Sequence, residues 1–146
     1  MHTPQVPDSA RIRFRSRVHT RWSDEDNQAV LNNAVYMTLF EEARHAYFGR
    51  LELLDTNQFP FLLAQTNVRF LSPGRGGTDV EVELITTRLG TSSFDQAYRV
   101  REVQGGRVWC EAEAVLVTYD PSTGRSAPMG DAFRAAVAGF EGLDQR

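Results

Sequence analysis

The stretch that decides the fold is residues 32–51, NNAVYMTLFEEARHAYFGRL. Its apolar side chains recur at spacings of three and four residues, which is the period of one face of an α-helix. The resulting stripe consists of Tyr36, Phe40, Ala43, Tyr47 and Leu51. Met37, Leu39 and Phe48 widen it, so the helix is apolar over much of its circumference. A helix of this kind is predicted to be enclosed by other elements.

The segment before this helix predicts where it starts. Residues 23–33 are rich in Asp, Asn and Glu, which are typical of loops and helix caps. Asn32 or Asn33 is the expected N-cap, because an asparagine side chain accepts hydrogen bonds from the free N–H groups of the first turn. Ahead of the loop, residues 11–21 alternate, with arginines on the exposed face of a predicted first strand. Its buried face is predicted to hold Ile12, Phe14, Ser16 and Val18.

The second half of the chain is predicted to be mainly β-strand. Alternation with a period of two marks four segments, residues 62–71, 79–89, 93–103 and 107–119. Gly, Pro, Asp and Ser fill the connections, and the last three connections are short enough for antiparallel hairpins. A weakly capped amphipathic helix is expected at about residues 130–140.

This order of elements predicts an α+β domain. Both apolar surfaces are buried most simply when a curved antiparallel sheet of about five strands wraps the long central helix, with a short C-terminal helix after it. The length suits one domain spanning residues 1–146, and no linker divides it. Residues 1–10 are polar, contain two prolines and are expected to be flexible.

Composition argues against several kinds of protein. The net charge of −3 argues against a nucleic-acid partner. No apolar run approaches the roughly 20 residues of a membrane-spanning helix, so no membrane partner is expected. The single cysteine, Cys110, excludes an internal disulfide and suits a reducing compartment, with the cytoplasm as the expected location. No His, Cys and acidic residues stand together at metal-ligand spacing, so neither a metal nor a cofactor is expected.

Several segments together resemble a known family. They are, in chain order, RWSDED (21–26), NNAVY (32–36), FEEAR (40–44), the run 68–80 and the run 90–94. In this order, and over roughly residues 12–119, they are similar to the 4-hydroxybenzoyl-CoA thioesterase family of hotdog proteins. The resemblance implies a hotdog fold and hydrolysis of an acyl-CoA thioester.

The resemblance also assigns the catalytic groups. Asp26, the second aspartate of the loop, matches the catalytic carboxylate of the family, and the backbone N–H that polarises the thioester carbonyl falls at about Asn33. A carboxylate can attack the carbonyl or act as general base for water. Free N–H groups at a helix start can stabilise the oxyanion. Many members have a histidine before the paired asparagines, where this chain has Val30-Leu31, and this difference bears on the substrate.

Other acidic residues compete with Asp26. Glu42 is a second candidate, since some hotdog thioesterases carry their catalytic carboxylate on the central helix, where Glu41 or Glu42 could serve. A surface glutamate paired with Arg44 or His45 is the favoured interpretation of both. Asp24, the first aspartate of the loop, is expected to be structural and to bind loop amides.

Weaker roles are predicted for residues outside the loop. Tyr36 begins the apolar stripe and is expected in the core more than in contact with a ligand. Ser92 and Ser93 lie in a hairpin that could bring them to the thioester. Arg75 and Arg88 are candidates for the CoA phosphates, because hotdog proteins hold the nucleotide near these turns.

Two other functions remain open. A hotdog hydratase or dehydratase would need a histidine paired with an acid, and no histidine follows Asp24 or Asp26 at short spacing. A non-catalytic acyl-binding or assembly module would keep the fold alone. The resemblance implies a homodimer, with a homotetramer as the fuller assembly, which would also cover an exposed strand edge. The acyl group is not specified, and candidates for its pocket are Phe48, Phe59, Phe61 and Leu62.

Overall fold

The centre of the fold is the helix Asn33–Arg50, α1. It belongs to a computed structural model that describes residues 2–54 and 59–144. Asn32 is the N-cap, and its side-chain oxygen accepts a hydrogen bond from the Ala34 N–H at 2.9 Å. The apolar stripe is buried as predicted, at Tyr36, Leu39, Phe40, Ala43, Tyr47 and Phe48.

An antiparallel sheet wraps α1. Its five long strands are β1 (Phe14–His19), β2 (Phe61–Phe70), β3 (Asp79–Leu89), β4 (Ser93–Glu102) and β5 (Val108–Asp120). Their order in space is β1-β3-β4-β5-β2, and each neighbouring pair is antiparallel. The predicted α+β fold, a long helix wrapped by a five-stranded antiparallel sheet, is confirmed.

Two smaller elements follow the sheet. The two-residue strand β6 (Arg125–Ser126) pairs with the end of β5, and its length is too short to show any periodicity in the sequence. The helix α2 (Asp131–Glu141) has no side-chain cap at Gly130 and ends at Gly142, whose φ of 70° is left-handed. In the described ranges, neither helix combines the length and hydropathy needed to cross a membrane.

The first strand is shorter than the predicted residues 11–21. Residues Ser9–Arg11 form a single 3-10 turn, in which the Arg11 N–H donates to the Asp8 carbonyl at 2.8 Å. This turn keeps the chain out of the sheet until Phe14. A second 3-10 turn, Trp22–Asp24, begins the loop to α1.

The sheet face that packs against α1 is apolar and holds a cluster of aromatic rings. The ring of Phe48 lies 5.0 Å from that of Phe61, 5.9 Å from Phe94 and 5.3 Å from Phe133, measured between centroids. Burial of one phenylalanine side chain contributes roughly 1.5–3 kcal/mol to folding. This cluster therefore fixes the C-terminal half of α1, at the end away from the loop that precedes the helix.

The opposite, outer face of the sheet is charged and carries the N-terminal segment. Residues 2–10, for which flexibility is expected from composition, lie across this face. His2 contacts Glu113 at 2.9 Å, and the Pro7 carbonyl accepts a hydrogen bond from Arg99 at 2.9 Å. Glu83, which is fully buried under this segment, pairs with Arg15 at 2.9 Å and with Arg99 at 3.2 Å.

Candidate functional site

The loop between β1 and α1 folds back on itself and presents Asp26. The Asn32 N–H donates to the Asp24 carbonyl, and the Asp26 N–H donates to the Val30 carbonyl, both at 2.9 Å. At the tip, the Ala29 N–H donates to the Asp26 carbonyl at 3.0 Å, and Ala29 has a left-handed φ of 61°. These cross-loop bonds hold Asp26 in a defined place ahead of the helix start.

A glycine-rich turn after β2 supports this loop. The Leu31 N–H donates to the Gly74 carbonyl at 2.9 Å, and the Gly76 N–H donates to the Glu25 carboxylate at 2.8 Å. A Cβ at Gly74 would lie 2.7 Å from the Trp109 ring, and a Cβ at Gly76 would collide with backbone of the loop. Glycine at both positions lets the turn approach the loop closely.

The carboxylate of Asp26 is half-buried and only partly used. Its Oδ1 accepts a hydrogen bond from the Gln28 N–H at 2.8 Å. Among residues 2–54 and 59–144, neither a hydrogen-bond donor nor a cation is found on its Oδ2. One oxygen of Asp26 is thus held by the loop, and the other is available to react.

The start of α1 leaves one amide without an acceptor. The side-chain oxygen of Asn32 accepts a hydrogen bond from the Ala34 N–H, and its backbone carbonyl accepts one from the Val35 N–H, both at 2.9 Å. Over the described parts of the chain, the N–H of Asn33 is not donated to any acceptor, and this residue is exposed. The amide predicted to stabilise the oxyanion is therefore free to do so.

Asp24 is held as a structural residue would be. It is buried and accepts from the Arg21 N–H at 2.8 Å and from the Arg21 guanidinium at 2.8 Å. Burial raises the pKa of Asp24, but the hydrogen bonds and charge of Arg21 outweigh it, so that the net pKa is lowered. Both carboxylate oxygens serve the loop, unlike those of Asp26.

Glu42 and Tyr36, the other candidates on α1, differ in their exposure to solvent. Glu42 is exposed beside the groove between α1 and β1. Of its two predicted partners, Arg44 is wrong, because Arg44 is buried and donates to the Tyr98 hydroxyl at 3.0 Å. A pairing of Glu42 with His45 stays a prediction. Tyr36 is a core residue whose ring lies 5.4 Å from that of Phe70, and burial raises its pKa.

Ser92, Ser93 and Arg88 lie at the opposite end of the sheet from Asp26. Strand β3 starts beside the loop and is 11 residues long, so its far end is roughly 33 Å away. There Arg88 pairs with Asp95 at 2.8 Å and donates to the Ser93 hydroxyl at 3.0 Å. Within one chain, the fold does not bring these residues to the loop.

Arg75, in contrast, lies beside the loop. Its guanidinium donates a hydrogen bond to the Ala29 carbonyl at the loop tip. It is exposed, so the rest of the guanidinium can reach solvent or a ligand. Of the two arginines predicted to contact CoA, Arg75 is the one near Asp26.

The pocket candidates divide between core and surface. Phe48 and Phe61 are buried in the aromatic cluster, and the half-buried Phe59 stacks on Phe61 with centroids 4.7 Å apart. Leu62 is 56% exposed and lies on the outer face of β2, because it stands opposite the outward-facing Val117. Within one chain, only the first three could border an internal pocket.

Neither a metal site nor a reactive thiol stands near the loop in the described residues. Over these ranges, His, Cys, Asp and Glu side chains do not gather in groups of three or more that could hold a metal ion. Cys110 is buried on the inner sheet face, and burial raises the pKa of its thiol to about 12. A thiol of that pKa is protonated at neutral pH and is a poor nucleophile.

Sequence reasoning missed the buried position of Arg44. The signal was present, since Arg44 stands four residues from both Phe40 and Phe48 and so shares their helix face. Its charge made an exposed position the simpler interpretation.

Comparison with known proteins decides the family. Residues 20–137 match the family described as the thioesterase-like superfamily. The chain belongs to this superfamily. The match includes the Asp26 loop, α1 and strands β2 to β5. The hotdog thioesterase prediction is confirmed at the superfamily level, whereas the narrower 4-hydroxybenzoyl-CoA thioesterase family stays a prediction.

Similar proteins cover most of the chain. A thioesterase from Thermus thermophilus, solved with coenzyme A and Zn, is 33% identical, with a TM-score of 0.78 over 89% of this chain and 95% of its own. A 1,4-dihydroxy-2-naphthoyl-CoA thioesterase from Synechocystis is 17% identical, with a TM-score of 0.77 over 86% and 95%, which shows the same fold. The uncharacterized protein YsmA of Bacillus subtilis is 24% identical over 119 residues, 81% of this chain and 80% of that protein.

Proposed function

We propose that this protein is an acyl-CoA thioesterase in which Asp26 is the catalytic carboxylate and the Asn33 N–H binds the oxyanion. The observation that carries the proposal is that one closed loop holds two groups without partners in the described residues, Oδ2 of the Asp26 carboxylate and the Asn33 N–H at the start of α1. The similar Thermus thioesterase that binds coenzyme A supports CoA as the thiol carrier. An acyl-carrier protein would present the same thioester chemistry.

Two routes of hydrolysis suit Asp26. In the first, its free oxygen attacks the carbonyl, the C–S bond breaks, the CoA thiolate leaves and takes up a proton, and water hydrolyses the resulting anhydride. In the second, Asp26 takes a proton from a water molecule as that water attacks. In both routes the carbonyl oxygen becomes negative, and the Asn33 N–H can stabilise it. Loss of one such donor costs about 10²–10³ in rate in other enzymes.

We expect the working protein to be a homodimer at least, with a tetramer as the fuller assembly. Strand β2 lies at an edge of the sheet, with β5 as its partner in the described part of the chain. It exposes Leu62 (56%), Leu63 (45%) and Phe70 (47%). An unpaired edge with apolar side chains is a surface that proteins cover, and a second copy of β2 would cover it.

The binding of CoA is proposed at the loop end of the sheet. Arg75 is the first candidate for a phosphate, because it is exposed and stands beside Asp26. Arg88 remains a candidate only for a site to which a second copy contributes, since it lies at the other end and is already paired with Asp95.

The first prediction separates Asp26 from its competitor. Asp26→Asn should lower kcat by at least about 10²-fold on an acyl-CoA that the wild type hydrolyses, because the amide is neither nucleophile nor base. Glu42→Gln is the matched control and should stay within about twofold of wild type. Release of CoA from a panel of aromatic and aliphatic acyl-CoAs, followed with a thiol reagent, measures both.

Other outcomes would favour the alternatives. Full activity of Asp26→Asn together with loss in Glu42→Gln would move the catalytic role to the helix. A hydrated or dehydrated acyl product with intact thioester would indicate a hydratase or dehydratase. Binding of acyl-CoA without any turnover would indicate a non-catalytic module.

A further inference from the structure

Among residues 2–54 and 59–144, Arg44 is a buried cation without a counter-charge. It is only 7% exposed, and its Nη1 donates to the Tyr98 hydroxyl at 3.0 Å. The guanidinium carbon also lies 5.7 Å from the centre of the Tyr98 ring. Within the described residues, its Nε is buried without a hydrogen-bond partner, and the guanidinium forms no ion pair with a carboxylate.

The other buried charges in the described part of the chain each have an oppositely charged partner. Glu83 pairs with Arg15 at 2.9 Å and with Arg99 at 3.2 Å, and Arg99 pairs with Glu111 at 2.7 Å. Removing an ion from water is costly unless an opposite charge and hydrogen bonds replace the water. The described residues follow that rule on the outer face of the sheet, so the exception at Arg44 points to an anionic group that these residues do not supply.

The unused donors of Arg44 have the geometry of a carboxylate site. One N–H of Nη1 is donated to Tyr98, and within the described residues the edge of the guanidinium formed by Nε and Nη2 has no acceptor. Two parallel N–H groups on one edge match the two oxygens of a carboxylate.

Small residues lie between this guanidinium and the edge strand β2. The Tyr98 hydroxyl, which accepts from Arg44, donates to Gln96 at 2.6 Å, so the guanidinium stands over the rows of Tyr98 and Gln96. In these rows the next residues on β5 are Ala112 and Ala114. Beyond them, on the inner face of β2, Val68 stands opposite Ala112 and is half-buried, and Thr66 stands opposite Ala114 and is exposed.

The distance to the loop suits an acyl chain. Arg44 stands eleven positions after Asn33, which is about 16 Å along the helix axis. Arginine side chains on a helix lean back toward its N-terminus, which shortens the gap. A thioester carbonyl at the Asn33 N–H would place the end of an extended medium-length acyl chain at the guanidinium.

We propose that Arg44 binds a carboxylate at the far end of the acyl group, so that the preferred substrates are medium-length ω-carboxyacyl-CoAs. The inference rests on the proposed thioesterase function, because it assumes a thioester at Asn33. The acyl chain runs between α1 and the inner face of β2, over Ala112 and Ala114, with its carboxylate on the Nε–Nη2 edge.

The test compares suberoyl-CoA with octanoyl-CoA, which differ in the terminal carboxylate. Wild type should show a kcat/KM at least about tenfold higher for suberoyl-CoA. Arg44→Met should lose that preference by lowering kcat/KM for suberoyl-CoA while octanoyl-CoA stays within about threefold. Arg44→Lys should retain part of the preference, because lysine keeps the positive charge but lacks the two parallel N–H groups that bind both carboxylate oxygens. An unchanged ratio of the two substrates in Arg44→Met would overturn the proposal.

A binding measurement separates this inference from the proposed activity. The probes are thioether analogues of both acyl-CoAs, in which a methylene replaces the thioester carbonyl, with calorimetry as the readout. Wild type should bind the carboxylated analogue at least about tenfold tighter than Arg44→Met does, whether or not the enzyme turns over. That result without hydrolysis of any acyl-CoA would leave the Arg44 site standing and remove the catalytic proposal.

The stability of the ligand-free variant tests the other source of a carboxylate, a second copy of the chain. Arg44→Met should be as stable as wild type or more so, since it removes a buried charge that lacks a partner. A lower melting temperature together with weaker self-association would mean that another copy supplies the counter-charge. That outcome would overturn the substrate site.

Discussion

Asp24 and Asp26 are two residues apart and differ in what holds their carboxylates. Arg21 takes both oxygens of Asp24, whereas Asp26 keeps one oxygen free of the loop. The sequence could place both residues in a loop before a helix. It could not tell the used carboxylate from the available one, because that depends on which backbone amides the folded loop turns toward each side chain.

Gly74 offers a prediction at the same scale. Gly74→Ala would place a Cβ 2.7 Å from the Trp109 ring and 2.8 Å from the Tyr36 hydroxyl, in the turn that supports the Asp26 loop. We expect a loss of about 1–3 kcal/mol in the free energy of unfolding, because a packed site must shift to admit it. Chemical denaturation measures the loss.

The control for this substitution is Gly139→Ala in α2. A Cβ there meets nothing within 4 Å, and alanine favours a helix over glycine. It should be neutral or stabilising by up to about 1 kcal/mol. Equal effects of the two substitutions would contradict the close approach at Gly74.

At the scale of elements, sequence periodicity predicts the helix and the strands. It does not predict the contacts between elements that are far apart in the chain. The stripe through Tyr36 and Tyr47 predicts α1 because it repeats within a few residues of sequence. The distance of Ser93 from Asp26 follows from the length and direction of β3. A local sequence pattern predicts that β3 is a strand, but it does not predict which loops lie at its two ends. The docking of α2 also escaped prediction, since Phe133 joins the aromatic cluster and one acidic side chain reaches β3, and both contacts join distant parts of the chain.

That side chain is Glu141, which joins α2 to the rest of the fold. It accepts hydrogen bonds from the Thr86 N–H at 2.8 Å and from the Tyr47 hydroxyl at 2.7 Å. Burial raises the pKa of Glu141 above its ordinary value of 4.5, and the hydrogen bonds offset only part of that effect. The folded protein therefore holds a proton on Glu141 more strongly than the unfolded chain does.

A pH dependence of stability follows from this shift. A raised carboxyl pKa contributes stability that is present below the unfolded pKa and is lost as the pH rises through the folded pKa. Glu141→Gln cannot ionise, so its stability relative to wild type should increase as the pH rises from below 4.5 to neutral. Thermal unfolding of both proteins across this range measures the change. A difference that is constant with pH would contradict the shift.

At the scale of the whole molecule, the two ends of the sheet have separate tasks. The loop, the glycine-rich turn and the start of α1 meet at one end, and the aromatic cluster fills the other. The edge strand β2 runs between them and exposes apolar side chains along its length. A second copy along this edge would extend the wall beside α1, and a complete site would then belong to the assembly.

Charged substitutions on β2 test whether this edge strand forms the dimer interface. Leu62→Lys combined with Leu63→Lys should weaken self-association by at least about tenfold, because these exposed leucines would face a second copy. Ala135→Lys, on the exposed side of α2, should leave it unchanged. Sedimentation velocity over a range of concentrations measures both. A wild-type protein that stays monomeric at micromolar concentration would contradict the proposed dimer.

The N-terminal segment across the outer face sets where a fused tag would sit. The carbonyl of His2 accepts a hydrogen bond from the Asn67 side chain on β2, at 3.1 Å. A tag ahead of His2 would therefore emerge beside the edge strand and could block a second copy from pairing there. Beyond α2 the chain leaves near Arg13, which donates to the Phe140 carbonyl just ahead of β1, the other edge strand of the sheet. Purification through a C-terminal tag would keep the β2 edge open for the assembly to form.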